Sequence, residues 1–237
     1  MSFIFEENIH VEDHLKVNYQ MVLDKVGPLL TEERQKKIAH IVEERNFSIL
    51  PVLEGIYDRG NISAVMRSAE AMGFVHFHVI ESQEKFKEAN RVTQGADKWV
   101  EVQKWKDSKS CIQNLKSKGY RLCVTTLEGA VDISEVDFTI PTALVLGNEK
   151  EGVSSEMLAA ADVRVKIPMV GFVQSYNISV AGALSLYHIF QDRKRKLGRS
   201  GDLSEVEKKI LTAHYYLRSQ PSGVDYLRRL FGDTQRA

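Results

Sequence analysis

The sequence predicts an α/β protein built on a mostly parallel sheet with helices on both faces, and three observations predict it. From Ser48 onward, short β-rich runs alternate with helical patterns. One of those runs, Ala143–Leu146, is wholly apolar, as a buried strand is. Helix ends are punctuated: Gly73 and Gly119 each follow a helical run, and Asp107 or Ser108 is placed to cap the next one.

Taken in order, Val11–Val26 and Glu32–Arg45 space their apolar residues at helical intervals and are separated by Gly27-Pro28. The alternating middle then reads as strand Ile49–Leu53, helix Ile62–Met72, strands Val75–Ile80 and Trp99–Val102, and helix Ser108–Lys118. Strands Arg121–Thr126 and Ala143–Leu146, helix Ser154–Ala161, strand Val163–Ile167 and helix Ile178–Arg193 complete it. Two amphipathic pieces, Leu203–Leu217 and Gly223–Phe231, follow and look like appended helices. The expected organisation is therefore an N-terminal helical extension over 1–47, a central domain over 48–198 and a C-terminal helical extension over 199–237.

Composition narrows the class. Of 237 residues, 43% are hydrophobic and 27% charged, enough for one main core. No stretch approaches the roughly 20 apolar residues of a membrane-spanning helix, so no membrane partner is expected. Met1 to Asn8 carries Glu6 and Glu7 and lacks both the basic start and the apolar core of an export signal, which points to the cytosol. Cys111 and Cys123 have no Cys or His at metal-ligand spacing; they read as reduced packing residues, and no metal site is expected. Lys plus Arg equals Asp plus Glu at 32 each, so any anion-binding surface must be local. The best local candidate is Arg193, Lys194, Arg195, Lys196 and Arg199, opposed by Asp192 alone. A phosphate-binding surface and a solvated helix end explain those charges equally well.

In an open sheet of this kind, ligands bind beyond the C-terminal ends of the strands, and three segments there carry chemistry. The first runs from Arg59 to Gly73, with Asn61 where a helix begins and Arg67 six residues on, near the edge of an apolar stripe of Ile62, Val65, Met66 and Ala69. By itself it reads first as an ordinary amphipathic helix with Asn61 as its cap and a solvated Arg67. The second, Ala143 to Ser154, is a strand ending at Gly147, followed by Asn148-Glu149-Lys150-Glu151-Gly152 and a Ser-started helix. It lacks the Gly-Lys-Ser/Thr ending that cradles a triphosphate, and no G-x-G-x-x-G fingerprint occurs anywhere. The third, Ile167 to Leu184, stops a strand at Pro168 and passes through Gln174, Ser175, Tyr176 and Asn177 into a helix bearing Ala181, Gly182 and Ala183. Such small residues let another chain segment approach closely.

Together, the three segments resemble the motifs of the SPOUT superfamily of RNA methyltransferases, within it the TrmH-like (SpoU) branch that methylates ribose 2′-hydroxyls. Asn61 with Arg67, Leu146-Gly147-Asn148-Glu149, and Ile167-Pro168-Met169 through Val173-Gln174-Ser175-Tyr176-Asn177-Ile178-Ser179-Val180-Ala181 match the branch's three motifs in residue type, order and spacing. The resemblance covers about Gln35 to Arg195, and three ordered motifs are far more specific than one.

The resemblance implies a SPOUT fold, a parallel sheet whose C-terminal part, about 120–195, threads through a loop as a trefoil knot. General topology rules alone predict no knot. It implies S-adenosylmethionine as cofactor, held by Thr125, Leu146, Gly147, Asn148, Ile167, Met169 and Tyr176, and a homodimer whose interface uses the helix after Asn177 and its small-residue face. It assigns the catalytic site to Arg67, Asn61, Glu149, Ser175 and Asn177. In the family, the Arg matching Arg67 is the proposed proton acceptor. Neutralising an arginine at neutral pH would cost roughly 7 kcal/mol, so a charged Arg67 that binds phosphate and stabilises a developing alkoxide is at least as plausible.

Helical extensions at both ends resemble the members that methylate guanosine-18 of tRNA, which makes tRNA the preferred RNA partner and ribosomal RNA the alternative. Arg193, Arg195 and Arg199 would then contact phosphates. Gly60 stands where many bacterial members place a His, which affects RNA contacts and leaves cofactor use intact. A catalytically silent RNA-binding homologue is the reading from another class; the joint presence of Asn61, Arg67, Glu149, Ser175 and Asn177 points away from it.

Overall fold

The computed structural model of the chain describes residues 3–12, 15–81 and 96–231. Its strands are β1 (Asn8–Glu12), β2 (Leu15–Asn18), β3 (Ile49–Glu54), β4 (His76–Ile80), β5 (Glu101–Trp105), β6 (Arg121–Thr125), β7 (Val131–Asp132), β8 (Thr142–Leu146) and β9 (Val163–Lys166). Its α-helices are α1 (Tyr19–Val26), α2 (Glu32–Glu43), α3 (Arg59–Ala71), α4 (Ser108–Ser117), α5 (Ser155–Ala160), α6 (Ile178–Leu197), α7 (Glu205–Ser219) and α8 (Ser222–Phe231). The chain forms two compact units: Asn46–Ser200, and a second in which Phe3–Arg45 joins the segment from Gly201 onward.

The first unit carries a seven-stranded sheet in the order β5-β4-β3-β8-β6-β9-β7, every pair parallel. Strand alternation divides its side chains between two layers. Ile49 and Leu53 of β3, Cys123 of β6 and Leu144 and Leu146 of β8 pack in one cluster with Val65 and Met66 of α3 and Leu186 and Ile189 of α6. Leu50, Val52, Leu122, Val124, Ala143 and Val145 pack in the other with Cys111 and Leu115 of α4 and Met157 of α5. Each fully buried Leu, Ile, Val or Met among them contributes on the order of 1.5–3 kcal/mol. That is the doubly covered α/β sheet the alternation predicts.

Between β3 and β8 the order of the strands reverses, and ligands of open α/β sheets gather at such a point. At Gly182, α6 comes close to α3: a Cβ there would lie 3.0 Å from Val65 and 3.1 Å from Leu146. The small-residue face is therefore occupied within the chain at Gly182, and is not open to a second copy there.

The second unit departs from the expected pattern at its start. Val11–Val26 is not one helix: β1 and β2 form an antiparallel hairpin, and the helix begins only at Tyr19, where Asn18 accepts a hydrogen bond from the Gln20 amide. The hairpin's Ile9, Leu15 and Val17 and the helix's Val22 and Val26 share one core with Ala213 of α7 and Leu227 of α8. The strand expected at Trp99–Val102 is displaced to Glu101–Trp105, after a 3-10 turn over Ala96–Trp99. Among the described residues, no helix is long and apolar enough to cross a membrane.

Candidate active site

Loops at the C-terminal ends of β6, β8 and β9 enclose a cavity of about 250 Å³. Each wall is held in place by local chemistry. Directly after β8 comes Gly147, where a Cβ would run into the backbone of Gly152 and Val153. Asn148 and Gly152 exchange backbone hydrogen bonds of 2.9 Å, which pinch the intervening loop shut. The Asn148 side chain then fastens it: Nδ2 donates to the Gly55 carbonyl at 2.8 Å, while Oδ1 accepts from the amides of Lys150 at 2.7 Å and Glu151 at 3.2 Å. Gly152 has φ +71°, a left-handed conformation that glycine adopts freely.

The third wall is the segment from Ile167 to Asn177. Tyr176 donates its hydroxyl to the Pro168 carbonyl at a long 3.4 Å. Asn177 caps α6, its Oδ1 accepting from the Ser179 amide at 2.9 Å. On the β6 side, Thr125 donates to the Val145 carbonyl at 2.9 Å.

Of the residues expected to hold a cofactor, Thr125, Gly147, Asn148, Ile167, Met169 and Tyr176 line the cavity. Leu146 does not: it is fully buried in the core beneath, against α6. Of the expected catalytic residues, Glu149 and Ser175 line the cavity. Asn61 and Asn177 reach the same place through a chain of side chains: Asn61 Nδ2 donates to Glu149 Oε1 at 2.6 Å, and Asn177 Nδ2 donates to Asn61 Oδ1 at 3.4 Å. Asn61 is not the cap of its helix, since Asp58 performs that role by accepting from the Gly60 amide at 2.7 Å. Its side chain is left to tie two other segments together. Arg67 is exposed on α3, does not line the cavity, and has no side-chain partner among the described residues.

Further lining residues were given no role by the sequence reading: Thr126, Leu127, Ile133, Gly152, Val165, Lys166, Ile178, Ala181 and Ser185. Ile133, Val165 and Ile178 among them are buried apolar positions, which nothing in a sequence separates from packing. Ser185 did leave a signal, a hydroxyl within the stripe of Ile178, Gly182, Leu186 and Ile189 that α6 buries.

The cavity is polarised. Its floor is apolar and buried at Ile133, Val165 and Ile178, while Glu149, Lys166 and Ser175 at its mouth are exposed. Such a space suits a ligand with a flat uncharged end and a charged end.

The basic cluster at the end of α6, which runs on to Leu197, divides in two. Arg193 is only 2% exposed, its Nη1 donating to the carbonyls of Phe138 at 2.9 Å and Thr139 at 3.4 Å. That corrects its assignment to RNA contact, because a guanidinium enclosed by backbone carbonyls presents no charge to a phosphate. Asp192 beside it is buried too; burial opposes its charge, and hydrogen bonds from Lys196, the Phe138 amide and Arg195 nonetheless hold its carboxyl below the usual range. Arg195 and Arg199 are exposed; Arg195 pairs with Asp192 at 2.5 Å, and Arg199 has no partner among the described residues.

A parallel sheet with its cavity at the strand ends, ringed by Asn61, Glu149 and Asn177, defines a class. The SpoU rRNA Methylase family matches residues 48–187, and the chain belongs to that family. Among curated relatives, the tRNA (guanosine(18)-2′-O)-methyltransferase of Borreliella burgdorferi is 38% identical over 199 residues, covering 82% of this chain and 91% of its own. The crystal structure of the A. aeolicus TrmH/SpoU tRNA modifying enzyme matches with a TM-score of 0.72 and 31% identity, over 80% of this chain and 98% of that one. The SpoU methyltransferase AviRb from Streptomyces viridochromogenes, solved in complex with the cofactor AdoMet, shares the fold at a TM-score of 0.59 and 24% identity, over 65% of this chain and 62% of its own.

Proposed function

We propose that this chain transfers a methyl group from S-adenosylmethionine to the ribose 2′-hydroxyl of guanosine-18 in tRNA, as a cytosolic homodimer. One observation carries the reading: Asn61, Glu149 and Asn177, from three segments far apart in sequence, are joined by hydrogen bonds beside a cavity that the second and third of those segments help to line. The substrate follows from the relatives, which are tRNA enzymes matching most of this chain.

When bound, S-adenosylmethionine supplies a methyl group on a positively charged sulfur. The chain's residues do the rest. Gly147, Asn148, Ile167, Met169, Tyr176 and Thr125 would hold the donor in the cavity, the first two presenting a loop that cannot collapse because its own hydrogen bonds fix it. Asn61 holds the Glu149 carboxylate at the mouth, and Asn177 and Ser175 shape the same edge, so that an incoming sugar meets a preorganised polar rim. Arg67 keeps its charge free for an RNA phosphate and for the oxygen that gains negative charge as it attacks. Arg195, in the last turn of α6, and Arg199, just past its Gly198 cap, would contact the RNA backbone.

Val180, Leu184 and Tyr187 stand exposed at i, i+4 and i+7 of α6, and Val170, Phe172 and Val173 are exposed on the loop before it. Apolar groups so placed favour a second copy of the chain as their cover. The trefoil knot, formed by residues about 120–195, belongs to the same reading and rests on family membership.

Incubation with labelled S-adenosylmethionine and, in separate arms, unmodified tRNA or ribosomal RNA, followed by mapping of the modified ribose, tests the function. Label at the 2′-oxygen of guanosine-18 is the expected result; label in ribosomal RNA alone would reject the substrate, and label in neither would reject the activity. Sedimentation should give twice the chain mass.

A further inference from the structure

We propose that Ser185 is a base-reading residue: its hydroxyl hydrogen-bonds the purine of the methyl donor at the floor of the cavity. The inference rests on the proposed function and adds to it a residue outside the three motifs.

Ser185 lies on α6, three residues beyond the Gly182 contact with α3, and lines the cavity while being fully buried. Its Oγ is buried and has no hydrogen-bond partner among the described residues. That is unusual for a serine inside a helix, which ordinarily returns its hydroxyl to the carbonyl four residues back. This chain does so elsewhere: Ser68 donates to the Ala64 carbonyl at 2.9 Å and Thr212 to the Lys208 carbonyl at 2.8 Å. A buried hydroxyl left unpaired is costly, and such groups persist where something else supplies the partner.

The cavity floor decides which part of the donor that partner is. Lining the same cavity as Ser185 are Ile133, Val165 and Ile178, which like it are buried, and which are apolar. The donor's amino-acid end and its sulfonium are charged, and burying them among such groups without counter-charges is prohibitive. The purine is flat and neutral, with ring nitrogens that accept and an exocyclic amine that donates. A hydroxyl can serve either. The charged end is then directed to the mouth, where Glu149, Lys166 and the Asn61–Glu149–Asn177 chain lie.

The test is calorimetric binding of S-adenosylhomocysteine and of analogues in which one base position at a time (N1, N3, N7 or the exocyclic amine) loses its hydrogen-bonding atom. Wild type should bind at least one analogue about three- to tenfold more weakly than the parent, the worth of one hydrogen bond. In Ser185→Ala that penalty should fall below about twofold, and Ser185→Cys should lie between. The unliganded Ser185→Ala protein should melt no lower than wild type, because an unpaired hydroxyl has been removed. Equal analogue penalties in wild type and variant, no penalty in either, or a lowered melting temperature with all ligands weakened alike would overturn the role of Ser185. Failure of wild type to bind S-adenosylhomocysteine at all would instead overturn the proposed function beneath it.

Discussion

Asn61 donates a 2.6 Å hydrogen bond to the Glu149 carboxylate across 88 residues of sequence, joining the start of α3 to the loop after β8. Both side chains are at least partly exposed, so the bond positions more than it stabilises. Glu149→Ala should leave the unfolding free energy within about 0.5 kcal/mol of wild type. Methyl transfer should fall at least about tenfold, since a misplaced rim costs orientation in the transition state. Single-turnover kinetics beside a thermal melt separate the two; equal losses in both would make Glu149 a structural residue.

Arg67 offers a sharper comparison. Exposed and unpartnered among the described residues, it can be removed without harm to the core. Arg67→Ala should reduce transfer by about 100-fold or more with an unchanged melting temperature, the scale seen when one charge-stabilising group is lost. Arg67→Lys should recover part of the rate if a cation is what the reaction needs. Full activity in the alanine variant would reject the role.

Gly147 admits no side chain, because a Cβ would collide with the backbone of Gly152 and Val153, which cannot swing aside as a side chain could. Gly147→Ala should therefore cost about 2–3 kcal/mol in urea unfolding and weaken cofactor binding together with it. A variant as stable as wild type would show that the loop relaxes.

Arg193 and Arg199 should behave oppositely. Arg193→Ala strips donors from the carbonyls of Phe138 and Thr139 and empties a buried site; a loss of about 2–4 kcal/mol is expected. Arg199→Ala should leave stability unchanged but lower the salt slope of RNA binding by about one. An unchanged slope would return Arg199 to a passive surface.

Acid should weaken the fold through His76 and His78 of β4. Burial, with Lys118 adding to it, holds His76 down at about 4; burial, neighbouring His76 and Lys118 hold His78 down at about 3. An unfolded chain would protonate both near 6.5, so below that pH the unfolded state binds more protons and stability falls. The stabilisation is complete above pH 6.5 and is lost as pH drops through about 4 and 3, with a slope of up to about 1.4 kcal/mol per pH unit for each imidazole. Urea unfolding from pH 7 to 4.5 measures it, and His78→Phe should flatten the curve.

The alternation of the middle segment was legible because buried parallel strands and amphipathic helices each impose their own period, as β3, β6 and β8 show. The front was not. Val11, Leu15, Val22 and Val26 satisfy a helical spacing, but Ile9, Leu15 and Val17 form a hairpin because Ala213 and Leu227 complete their core from about 200 residues away. β7, two residues long, is too short to leave a period. Asn61 read as a cap, since nothing local reveals that Asp58 takes that place. Arg193 read as surface charge for a like reason: the carbonyls that enclose it lie 54 and 55 residues earlier.

The second unit takes its core from both ends of the chain, and synthesis runs in one direction. Ile9, Val17 and Val22 leave the ribosome long before the helical residues that cover them, Ala213 and Leu227, have been made. The early hairpin must therefore wait, its apolar side uncovered, while all of 46–200 emerges and closes around its own sheet. A message cut short after α6 would leave that waiting segment permanently without a mate, a ready target for proteolysis.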